Sequence, residues 1–217
     1  MSQDSSPRPG QLVLVPALIT LAVTLLRLAG ELQGWSPRLF SREPGGGGAL
    51  VGISWLVPVF GAWFGWRLAS AGERPKSAWK ALGLTVLALA VLPASGFAAA
   101  KLGVEQTSVT TLAVFAVVSV AALLLALRAW PALGRTLLAY GLAARIPVIL
   151  VMLAAILGSW GTHYDAMPPG GPPMSGLRLW LVAGVLPQLT IWQWFTVVIG
   201  GLFGIAAAAL TRRRAAA

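Results

Sequence analysis

The sequence predicts an all-α fold, a polytopic transmembrane helical bundle of about six spans, and three observations carry that prediction. Hydrophobic residues make up 57% of the 217 positions and charged residues 10%, far from the balance of a water-soluble domain. The apolar residues gather into six long runs, each near the roughly 20 residues that cross a hydrocarbon core. Basic residues concentrate in every second gap: Arg74, Lys76 and Lys80 in the second, Arg128 and Arg135 in the fourth, and Arg212, Arg213 and Arg214 in the tail. The other gaps are close to charge-balanced, with Arg38 and Arg42 against Glu31 and Glu43, Lys101 against Glu105, and Arg178 against Asp165. The positive-inside rule then puts both termini in the cytoplasm and the balanced gaps outside, the topology of a bacterial inner-membrane protein.

The expected organisation is a short cytoplasmic tail (1–10), one membrane-embedded domain (11–211) and a basic cytoplasmic tail (212–217). The first run, 12–29, has too long an apolar core and too little positive charge before it for a cleaved signal peptide, and reads as a retained helix. The next spans are expected at 49–70, 81–100, 108–127 and 136–160. The last apolar stretch is too long for one crossing. Pro187 is expected to divide it into a short interfacial helix on the outer side (177–186) and a final span (189–210) that stops at the arginines.

Two outer loops punctuate differently. Gly45 to Gly48 are four consecutive glycines and read as a linker, whereas the segment with Pro168, Pro169, Pro172 and Pro173 reads as a stiffer cap. Pro16, Pro58, Pro93, Pro147 and Pro187 each remove an amide donor in or near a span and can kink it. Gly61 and Gly65, and Gly200 and Gly204, have the four-residue spacing that aligns small residues on one helix face and permits close helix packing, within one bundle or between protomers. Trp35, Trp79, Trp130, Trp160 and Trp180 fall near span ends, where indoles anchor in headgroups. Trp55, Trp63 and Trp66, with Trp192 and Trp194, add aromatic faces within or near the spans.

Charge at membrane depth carries the strongest functional signal, because hydrocarbon makes it expensive. Arg27 and Glu31 are one helical turn apart and can pair. Arg145 falls within the fifth span, either at depth or snorkelling to the cytoplasmic side according to where that helix begins. Thr162, His163, Tyr164 and Asp165 form a polar cluster just outside the fifth span and include the only histidine. The expected outer vestibule comprises Arg27, Glu31, His163, Tyr164, Asp165 and Gln193. In it the carboxylates attract a cation, while Arg145 stands as a separate intramembrane charge on the inner side.

Absences narrow the chemistry. One histidine and no cysteine exclude bis-histidine haem ligation within one chain, a zinc-binding H-E-x-x-H helix and thiolate metal sites. Two aspartates, Asp4 and Asp165, leave no multi-aspartate magnesium site, and no phosphate-binding glycine loop occurs. The net charge of +10 reads as topology rather than nucleic-acid binding. No cofactor or metal is expected. The expected partners are the lipid bilayer and a homo-oligomeric or other membrane-protein neighbour. Two functions remain, a small transporter or channel with an outward-facing polar vestibule and a noncatalytic membrane subunit or scaffold, with an enzyme third.

Overall fold

The computed structural model describes residues 9–47, 49–104, 108–167 and 173–215. Asp4, Arg8, Gly48, Glu105, Pro168, Pro169, Pro172 and the side chains of the three terminal arginines lie outside that description. Every regular element described is helical: α1 (Pro9–Leu32), a short 3-10 turn (Pro44–Gly46), α2 (Leu56–Ser70), α3 (Ala78–Lys101), α4 (Val109–Ala129), α5 (Pro131–Gly158), a composite α6 (176–189) and α7 (Ile191–Ala215). Five helical stretches are long and apolar enough to cross a membrane, the last running through α6 and α7 from Gly176 to Thr211. Large apolar side chains such as Leu14, Leu18, Val117, Leu150 and Leu157 point outward, as lipid contact requires.

Local chemistry sets the helix starts. Ser77 and Ser108 cap α3 and α4, accepting hydrogen bonds from the amides of Lys80 (3.3 Å) and Thr111 (3.2 Å), which satisfies donors the first turn leaves unpaired. α5 begins at Pro131, five residues before the expected 136, because a proline at the first helical position is preset for the helix and loses no bond there. α2 begins at Leu56, not at 49. Its 15 residues span only about 22 Å, and the irregular stretch before it packs against protein: Gly52 lies beside the Arg27 guanidinium. Irregular backbone at membrane depth is tolerated where it is enclosed by protein or faces a cavity.

The division of the last apolar stretch also differs from expectation. The helix continues through Pro187, and the backbone bends instead at Thr190 (φ −118°, ψ −77°). A π-helical turn, Trp180–Val185, precedes the proline. In an α-helix the Pro187 ring would meet the carbonyl of Ala183; wider i→i+5 spacing relieves that clash without ending the helix.

α7 is the central helix and touches α2, α3, α4 and α5. Trp194 Nε1 donates to Ala88 O of α3 (2.9 Å). Gly61 and Gly65 of α2 lie directly on the backbones of Gly200 and Gly204, so the two small-residue faces meet inside one chain and α2 runs parallel to α7. On its other side Gly200 accepts Leu137, and Gly204 accepts Leu133, both from α5. α1 runs parallel to α5 and is joined to it by a buried hydrogen bond between Thr20 Oγ1 and Tyr140 OH (2.8 Å).

Candidate functional site

Arg27 and Glu31 lie on one face of the last turns of α1, where Arg27 Nε donates to Glu31 Oε1 (2.8 Å). A second Arg27 nitrogen, Nη2, donates to the Ser41 carbonyl (3.0 Å), tying the start of the irregular segment to α1. Glu31 is 1% exposed and is met from the far end of the sequence. His163 N donates to Oε2 (2.9 Å), and His163 Nδ1 is 2.5 Å from Oε1. Arg42 holds the Glu31 carbonyl. The loop after α5 is therefore pinned to the end of α1, and Tyr164 extends the anchor by donating its hydroxyl hydrogen to Thr24 O (3.3 Å).

Burial pulls the His163 pKa below its ordinary value; the Glu31 hydrogen bond pushes it back up and the Arg27 charge pulls it further down. Its neutral ring donates from Nδ1 to Glu31. Asp165 has a different task. Burial raises its pKa, but donors from Thr162 and Gly161 outweigh that and leave it below the ordinary value. Its carboxylate accepts from Gly161 N (2.9 Å), Thr162 N (2.7 Å) and Thr162 Oγ1 (2.7 Å), so it clasps its own loop.

Arg145 stands at the midpoint of α5, about 21 Å along the axis from Pro131, and is 3% exposed. Its Nη1 donates weakly to Gln188 Oε1 (3.4 Å), and its guanidinium lies over the Trp192 ring, 4.7 Å from the centroid. Its Nε is buried without any hydrogen-bond partner. Among the described residues Glu31 forms an ion pair with Arg27 and a hydrogen bond with His163; no carboxylate pairs with Arg145.

Arg27, Arg145, His163 and Tyr164 line one cavity of about 230 Å³. Arg145, expected as a separate charge on the inner side, thus lines the same space as the polar loop. Gln188 and Trp192 complete its polar and aromatic wall, while Val23, Ile53, Val148 and Met152 supply apolar surface. Two expected vestibule residues stand elsewhere. Asp165 is turned into its loop, and Gln193 points to the α5–α7 contact, where its amide sits on Gly141 with neither polar atom paired. The aromatic residues also divide: Trp192 faces the cavity, Trp194 is buried, and Trp55 and Trp66 are exposed.

Sequence reasoning missed the grouping of Arg145 with Gln188 and Trp192. Gln188 and Trp192 flank the bend at Thr190, so helical spacing in the sequence does not bring them onto one face. Comparison with protein-family models, curated proteins and solved structures gave no match.

Proposed function

We propose that this chain is a small integral membrane protein of the transporter or channel class, whose solute cavity opens outward at the His163 end of the bundle. One observation carries the reading: Arg145, halfway along α5, is buried beside a cavity that also reaches His163, Pro44, Ile53 and Ser54. A guanidinium at mid-bilayer costs about 2.5–3.5 kcal/mol or more, and facing an aqueous cavity offsets much of that cost. The outward direction rests on the distribution of basic loops.

The scaffold reading loses one of its supports. Its small-residue faces are occupied by each other, Gly61 on Gly200 and Gly65 on Gly204, and do not offer a docking stripe.

Cysteine accessibility tests the proposal directly in a chain without cysteine. Ser54→Cys and Ala183→Cys, both at the cavity wall, should react from outside intact cells with a small impermeant methanethiosulfonate. Leu150→Cys on the apolar exterior should react at least tenfold more slowly. Equal protection of all three positions would refute an outward-open solute cavity.

A further inference from the structure

We propose that the cavity binds a singly charged oxyanion carried on a small apolar body, with Arg145 as its anchor. This rests on the solute-cavity reading and reverses the charge of the ligand that the acidic residues alone suggest.

The carboxylates are already engaged. Glu31 has a fully buried side chain and takes donors from Arg27 Nε, His163 N and His163 Nδ1. Asp165 spends its oxygens on Gly161 and Thr162. Neither is left to hold a cation. Of the two guanidinium groups at the cavity, Arg27 is neutralised by Glu31, whereas Arg145 has a weak bond to one amide oxygen, a ring beneath it and an unpaired Nε. The fixed charge left over is one positive unit at Arg145, with His163 neutral.

A guanidinium presents paired donors in a planar fork that matches the two oxygens of a carboxylate or phosphate. A bound oxyanion would supply the acceptors Arg145 lacks and compensate its charge, while a dianion would leave uncompensated charge in a low-dielectric site. Size and wall chemistry narrow the remainder of the ligand. About 230 Å³ accommodates roughly seven or eight waters by their share of liquid volume. Val23, Ile53, Val148 and Met152 offer apolar contact to a body on that scale.

The same chemistry can come from a soluble carboxylate or from the phosphodiester headgroup of a lipid. The full chain, purified in an uncharged detergent, is heated with hexanoate, hexanol or hexylamine at matched ionic strength, and separately with short-chain phosphatidylglycerol or phosphatidylcholine. A saturating oxyanion should raise the unfolding temperature by roughly 5 °C or more; hexanol, hexylamine and phosphatidylcholine should not. A response to hexanoate without phosphatidylglycerol supports the site and assigns it a soluble anion; the converse supports it and assigns a headgroup.

Arg145→Gln should abolish the shift. Ala183→Phe, which narrows the cavity and leaves both arginines in place, should abolish it as well and decides the matter if the arginine variant does not fold. Equal stabilisation by hexylamine, no response to either anion, or a shift that survives Ala183→Phe would overturn the proposal. Continued labelling of Ser54→Cys in that event would leave the solute-cavity reading standing, whereas loss of both results would remove it.

Discussion

His163 is the residue on which the polar end of the molecule turns. From α1 it faces Glu31 and Arg27, and within its own loop Asp165 acts on it electrostatically and Tyr164 lies against its ring at 3.9 Å between centroids. Burial holds its pKa down, so the unfolded chain takes up a proton near pH 6.5 that the folded chain refuses until the pH is lower. Stability therefore falls as pH drops through about 6.5 and is fully present above it. The depressed Asp165 acts in a separate window, its contribution being lost only as pH falls below about 4. We predict that thermal unfolding between about pH 8 and pH 5 shows the first decline and that His163→Asn flattens it. A profile unchanged by that substitution would show that another group sets it.

At the scale of elements, the close approach of α2 to α7 depends on glycines that are unequal in their surroundings. A Cβ on Gly61 or Gly65 would run into the backbone of Gly200 or Gly204, while one on Gly200 would first meet the flexible end of Leu137, at 2.5 Å. Backbone cannot yield as a leucine tip can. Gly61→Ala and Gly65→Ala should each destabilise the bundle by about 1–3 kcal/mol or more, and Gly200→Ala should cost less. Ala207→Leu, at a partly exposed position, serves as the control in denaturant or thermal unfolding. Equal losses at Gly61 and Gly200 would contradict the packing described. Periodic apolar runs made most helices legible, because the length that lipid demands is a property of sequence alone. The start of α2 was not, since residues 49–55 are as apolar as a helix, yet the amides of Leu50 and Val51 pair with the Arg38 and Leu39 carbonyls instead. The site divides the same way: Arg27 and Glu31 lie one turn apart, so local helix geometry suffices to pair them, but His163 reaches Glu31 across 132 positions. Gln193 looked like part of the vestibule because its distance from Pro187 does not reveal which face it takes after the bend at Thr190.

For the whole molecule, charge is distributed between two ends. One end carries the cavity lined by Arg145, which no carboxylate among the described residues pairs. The other has a larger hollow of about 390 Å³ bordered by Arg74, Lys76, Lys80, Arg128 and Arg135, an arrangement suited to anionic headgroups. Parallel pairing of α1 with α5 and of α2 with α7 makes these ends opposite, so fixing one residue in the cell fixes them all. Ser36, between α1 and α2, and Lys76, between α2 and α3, are both exposed and lie at opposite ends. In intact cells a bulky impermeant maleimide should label Ser36→Cys and leave Lys76→Cys unmodified until the membrane is broken, because the basic end is retained inside during insertion. The reverse pattern would invert the protein in the membrane, turn the Arg145 cavity toward the cytoplasm and make its ligand an internal anion.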